Sequence, residues 1–142
     1  MKYETLDKFR DDFLWGSSSA AYQVEGAWDK DGKGPSIWAI YPKKPGTTYK
    51  DTNGDIAVNH YDKYKEDVAL MAEMGLKAYR FSIAWSRIYP NGRGEVNEEG
   101  LKFYENLIDE LMENNIKPII TIYHWDYRNI CKIYTVDGNL EK

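Results

Sequence analysis

Between residues 57 and 125 the apolar positions switch between helical and strand spacing three times. Ala57, Tyr61, Tyr64, Val68 and Met71 recur at helical spacing with charges between them, and Gly75 follows as a stop. An amphipathic helix over 57–74, laid on a flat surface, is expected. LKAYRFSIAW (76–85) then runs through alternating β-branched and aromatic residues, which predicts a strand whose far end carries Ser86 and Arg87. After the turn PNGRG (90–94), Asn97 is placed to cap a second helix, whose first turn sets Glu98 and Glu99 at the positive end of the macrodipole. Leu101, Tyr104, Leu107, Ile108 and Leu111 give that helix one apolar face. Asn114 and Asn115 end it before Pro118, and KPIITIYHW (117–125) predicts another strand.

Upstream, FLWGSSSAA (13–21) is a short apolar run followed by small residues, which suits a strand whose end lets something approach the backbone closely. The stretch 29–55 holds three of the five prolines and reads as a long ordered loop, a class of loop that tends to be functional. The order is therefore strand, loop, helix, strand, helix, strand. Apolar strands alternating with amphipathic helices predict an α/β fold with parallel strands and right-handed helical crossovers. An open doubly wound sheet and part of a (β/α)₈ barrel both fit. Polar and aromatic residues gather at the carboxyl ends of the strands (Gln23, Arg80 to Arg87, His124 to Asp126), where barrel enzymes place their chemistry. The glycine-rich phosphate turn of the open sheet, GxGxxG, is absent.

Composition narrows the function. The 142 residues are 42% apolar, enough for one domain with a sizeable core. A formal charge of −4 without a basic cluster argues against nucleic acid as a partner. The start, MKYETLDKFRDD, lacks the apolar centre of a signal peptide, and no apolar run reaches membrane-spanning length, so a cytoplasmic protein without a membrane partner is expected. The single Cys131 has no second cysteine to pair with and reads as inert. Aromatic residues reach 15%, many of them beside polar ones. That suits a carbohydrate site, where a ring stacks on the C–H face of a sugar while polar neighbours take its hydroxyls, and it also suits an aromatic core.

Among candidate residues, Gln23 offers an acceptor and two donors at once, enough for two adjacent hydroxyls, or else is a surface loop glutamine. His124 can donate to a hydroxyl, with Trp125 supplying an indole N–H or ring face, unless the histidine is structural. Arg80 lies inside an apolar strand, where an unpaired guanidinium is costly, so it is expected to have an acidic partner. That partner is either a structural carboxylate or a catalytic one kept ionised by the arginine. His60 and His124 belong to different elements and lack ligand spacing, so no metal is expected, and no cofactor or Ser/Cys triad signature is present.

Taken together, FLWGSSSAAYQVEGAW, the stretch from NHYDKYKEDVALMAEMGLKAYRFSIAWSRIYPNGRG to NNIKP, and TIYHWD closely resemble the start of glycoside hydrolase family one, the retaining β-glucosidases and 6-phospho-β-glucosidases. The resemblance runs from about residue 10 to 126. It implies the first part of a (β/α)₈ barrel, incomplete, with about three strands and two main helices. It matches Gln23, His124 and Trp125 to residues that hold the non-reducing sugar of a β-glucoside or its 6-phosphate, and Arg80 to the arginine beside the nucleophile. Retaining hydrolysis needs two carboxyl groups about 5–5.5 Å apart. In the family these lie on later strands. Here Asn97-Glu98 is followed by Glu99 rather than proline, and Glu105-Asn106 falls inside a helix where its charge faces solvent. The expectation is an amino-terminal barrel portion over 1–126 with a divergent tail over 127–142, as a shifted frame or early stop would produce. Such a piece is inactive alone and at most a weak sugar binder. The complete enzyme would hydrolyse O-glycosidic bonds, with a lean toward the phosphorylated substrate.

Overall fold

The structure, a computed structural model, describes residues 8–126. Strand β1 (Gly16–Ser18) leads into a one-turn helix α1 (Ala21–Val24). The long loop carries a second short helix, α2 (Ile37–Ile40), and two 3₁₀ turns. Then come helix α3 (His60–Glu73), strand β2 (Ala78–Ser82), the one-turn helix α4 (Trp85–Ile88), helix α5 (Glu98–Glu113) and strand β3 (Lys117–Thr121). The three strands form one parallel sheet in the order β1-β2-β3, Gly16 opposite Ala78 and Arg80 opposite Ile119. The Cys131 thiol and the tail 127–142 lie outside the described residues.

Both long helices stop the same way. At the end of α3 the Gly75 N–H bonds the Ala72 carbonyl and the Leu76 N–H bonds that of Met71, and Gly75 takes φ +78°, where a side chain would be strained. At the end of α5, Asn115 (φ +57°) and Ile116 repeat this pattern on Met112 and Leu111. Each cap ends in an apolar residue and a lysine, Leu76-Lys77 and Ile116-Lys117. The Lys117 N–H then bonds the Lys77 carbonyl, so the two caps also set the β2–β3 register.

One face of the sheet is packed by helices. Tyr79 and Phe81 of β2 join Val68 of α3 with Phe103, Tyr104, Leu107 and Leu111 of α5 and Ile116 in a single core. Tyr61, Tyr64 and Met71 lean on it, as the helical spacing predicts, but Ala57 lies before the helix with φ +48°. Phe103 is buried although it falls outside the expected stripe, whereas Leu101 is 37% exposed. Asn97 stands at the start of α5 without capping it. Its side-chain N–H groups instead bond the carbonyls of Asp31 and Arg87, which ties the long loop to α4. The expected strands are shorter than predicted: 76–85 yields its last residue to α4, and 13–21 keeps three paired residues.

Candidate functional site

The site forms where α1, α2 and the end of β3 meet. The Ala21 N–H donates to Ser82 Oγ (2.8 Å), which ties the start of α1 to the carboxyl end of β2. Gln23 projects from this helical turn rather than from a strand and is exposed. The neighbouring Tyr22 accepts from the Gly54 N–H (2.9 Å) and stacks on Trp38 of α2 at 5.8 Å between centroids. Burial raises the pKa of its hydroxyl. Ser36 caps α2 by accepting from the Ala39 N–H (3.2 Å), which fixes Trp38 in place.

After β3 the Ile83 N–H bonds the Thr121 carbonyl (3.0 Å), and the chain turns through His124 to Trp125. Trp125 has φ +67°, a region costly for a bulky residue, and its side of the pocket is open, with 64% of the residue exposed. Ala20, Tyr22, Gln23, Trp38, His124 and Trp125 line one pocket of about 280 Å³. Three residues expected to hold a sugar thus share one cavity with two further aromatic rings. The cavity offers amide, imidazole and ring faces but no carboxylate among its lining residues.

Arg80 is not part of that pocket. It lies on the sheet face opposite the helices, alternating with Tyr79 and Phe81, and its Nε donates to Thr121 Oγ1 at 2.6 Å. Among the described residues no carboxylate forms an ion pair with it. The physical reason is exposure: Arg80 is only half-buried, so the guanidinium keeps part of its hydration and a neutral hydroxyl suffices. The two glutamates weighed as catalytic stand apart as well. Glu98 is exposed at the start of α5, and Glu105 is exposed and paired with Lys102 (3.3 Å).

The buried arginine is Arg87, 0% exposed. Its Nε and Nη2 donate to Glu25 Oε2 at 3.1 and 3.0 Å, and its guanidinium sits 4.0 Å from the centre of the Tyr61 ring. The Tyr104 hydroxyl donates to Glu25 Oε1 (2.5 Å) and accepts from the Ala84 N–H (2.7 Å). Burial and the Glu25 charge together push the Tyr104 hydroxyl well above its ordinary range, so it remains a donor. Burial works against the charge on Arg87, but Glu25 more than offsets it and the pKa is raised. Lys33 Nζ lies 4.0 Å from Glu25 Oε2, and burial lowers its pKa against the pull of Glu25. Asp126, 4% exposed, has its carboxyl pushed up to about 6 by burial, with Lys33 pulling the other way. The buried guanidinium that cannot stand unpaired is that of Arg87. VEGAW and WSRIY each hold one charge among apolar neighbours, and that pair of lone charges was the available signal.

His60 turns to Asp67 (Nδ1 to Oδ2, 2.6 Å), and among the described residues no three His, Cys, Asp or Glu side chains gather as metal ligands.

Comparison with known proteins adds the wider frame. The sequence profile of glycosyl hydrolase family 1 matches residues 5–132. The chain is 62% identical over 126 residues to the aryl-phospho-β-D-glucosidase BglC of Bacillus subtilis, covering 89% of this chain and 26% of that protein. It is 52% identical to β-glucosidase A of Acetivibrio thermocellus over 83% of this chain and 26% of that one. The fold superposes on the family 1 β-glucosidase of Thermotoga maritima with a TM-score of 0.86 at 46% identity, over 92% of this chain and 29% of the other. The rice Os3BGlu6 β-glucosidase gives 0.82 at 50% identity, over 84% and 25%. The chain spans about a quarter of the length of the curated relatives it matches.

Proposed function

The chain belongs to glycosyl hydrolase family 1, and from that premise we propose that it supplies the sugar-gripping first quarter of a retaining β-glycosidase barrel. The observation that carries this reading is the meeting of Gln23, His124 and Trp125 in one pocket with Tyr22 and Trp38. Gln23 holds two adjacent hydroxyls through its amide, His124 bonds a third, and the Trp125 and Trp38 rings meet the apolar face of the sugar. Arg80, outside the pocket, faces the barrel interior and holds the nucleophilic carboxylate ionised once later strands bring it near. Among the described residues no carboxyl pair lines the pocket, which supports a chain that binds a sugar without cleaving it.

The substrate is a β-glucoside, with its 6-phosphate preferred. Supporting that preference is the 62% identity to a protein named aryl-phospho-β-D-glucosidase, against 52% to one named β-glucosidase. The test is a chimera in which residues 1–126 replace the corresponding part of the Bacillus subtilis relative. It should release the aglycone of an aryl β-glucoside 6-phosphate, and Gln23→Ala in the chimera should reduce kcat/KM by about a hundredfold or more, as losing a bidentate contact to a buried hydroxyl pair does. A folded chimera whose rate ignores Gln23→Ala would refute the reading.

A further inference from the structure

Gln23 stands on a helix too short to hold itself. α1 has four residues, and a single turn closes too few hydrogen bonds to repay the ordering it needs, so its place is set by whatever grips its ends. The start is tied by the Ala21 N–H to Ser82 Oγ (2.8 Å). The other end is capped by Glu25, whose N–H closes the turn on the Ala21 carbonyl (2.9 Å) and which is buried. Both carboxylate oxygens of Glu25 are engaged: Oε2 accepts from Arg87 Nε and Nη2 (3.1 and 3.0 Å), and Oε1 accepts from the Tyr104 hydroxyl (2.5 Å). We propose that Glu25 is a positioning residue for the pocket: through the Tyr104 hydroxyl and the Arg87 guanidinium it fixes the turn that aims Gln23, and so sets which hydroxyls Gln23 can reach. That the aim is toward a sugar rests on the glycone reading given above.

Three observations favour a positioning role over an ion pair that only stabilises the fold. First, both ties lead to one short stretch. Ser82 holds the start of α1, the Tyr104 hydroxyl that holds Glu25 also accepts from the Ala84 N–H (2.7 Å), and Arg87 closes the same stretch. α1 is thus referenced at both ends to residues 82–87, at and just beyond the carboxyl end of β2. Second, Gln23 has no anchor of its own. Its side chain is exposed and, among the described residues, makes no hydrogen bond, so its direction is inherited from the turn. Third, the tie is directional. An apolar side chain at position 25 would be buried at less desolvation cost, but apolar contact is non-directional and lets a single turn slide and rotate. A carboxylate with separate partners on its two oxygens can do neither without losing a hydrogen bond.

The test uses the whole 142-residue chain, ¹⁵N-labelled, as wild type, Glu25→Gln, Tyr104→Phe, Gln23→Ala and the double variant Tyr104→Phe/Gln23→Ala. Tyr104→Phe is the gentler cut. Its ring keeps the stacking on Phe81, and the Tyr61 N–H still bonds the Glu25 carbonyl (3.1 Å), so the turn is freed while the chain stays in place. Exchange of amides 21 and 25 and the Gln23 side-chain amide resonance are followed without sugar, and dissociation constants are measured for methyl β-glucoside and its 6-phosphate. Tyr104→Phe should speed exchange at 21 and 25 by about tenfold more than at Leu107 and Leu111 and shift the Gln23 signal. Glu25→Gln should do as much or more. The sugar Kd should rise about tenfold in Tyr104→Phe, yet the double variant should match Gln23→Ala, because a residue that acts through Gln23 then has nothing left to act on. An ion pair that only stabilises would keep amides 21 and 25 in step with Leu107 and Leu111 and add its cost to Kd in both backgrounds; either result overturns the proposal. If Glu25→Gln fails to fold, Tyr104→Phe decides alone. Release of amides 21 and 25 by Tyr104→Phe in a chain that binds neither sugar upholds the tie and discards the glycone reading.

Discussion

β2 and β3 are the same length and pair in register, yet β2 is buried at four of its five positions and β3 at none. Phe81 and Ile120 stand opposite each other at 3% and 42% exposure. Apolarity does not explain the difference, since KPIIT is at least as apolar as AYRFS. β2 has a strand on each side and helices over one face, whereas β3, among the described residues, has a strand on one side. Burial in a parallel sheet is conferred by neighbours, and β3 carries the sequence of a strand meant to have two. The pocket grows from that less buried side: His124 and Trp125 follow the exposed strand, whereas Gln23 projects from a helix turn tied to Ser82.

The largest effect should come from breaking the cluster on the packed side. Glu25→Ala strands Arg87 in a site with 0% exposure and should cost about 3–5 kcal/mol, read from the urea midpoint. A loss below about 1 kcal/mol would mean that water reaches the guanidinium. Next, Leu111→Ala, at 0% exposure beneath β2, should cost about 2–5 kcal/mol by cavity formation.

Third is a pH effect on the β3 side. The Asp126 carboxyl sits at about 6 in the fold against 3.8 ordinarily, so the folded chain holds that proton more tightly. Its stabilising share is complete below 3.8 and is lost as pH rises through about 6, roughly 3 kcal/mol in all at about 1.4 kcal/mol per pH unit. Urea curves from pH 4 to 7 should show this decline, and Asp126→Asn should flatten it. The smallest effect is expected for Ile120→Ala, about 1 kcal/mol or less, because nearly half of that side chain already meets water. A cost equal to that of Leu111→Ala would erase the contrast between the strands.

Periodicity revealed what local sequence controls. α3 and α5 lie where the helical spacing places them, β2 occupies the middle of its predicted run, and β3 the first five residues of 117–125. The cap at Gly75 was visible because glycine is what a left-handed stop favours. The cap at Asn115 uses the same geometry with the next most tolerant residue. The one-turn helices were not visible, because four residues carry no period; α1 holds its place through Ser82 and α2 through a serine cap. Residue types made Gln23, His124 and Trp125 candidates, the family resemblance singled them out, and the fold brings them together. The ion cluster was missed because Glu25, Arg87 and Tyr104 are 62 and 79 residues apart along the chain and meet only once the sheet has formed.

The most direct test of the pocket is a titration of the 142-residue chain with an aryl β-glucoside 6-phosphate, following nuclear resonances and aglycone release in the same tube. The expected result is joint movement of the Gln23, His124 and Trp125 signals, abolished by Gln23→Ala, with no aglycone released. Signals that stay still, or aglycone set free by this chain unaided, would contradict a sugar-gripping site that lacks its own pair of acids.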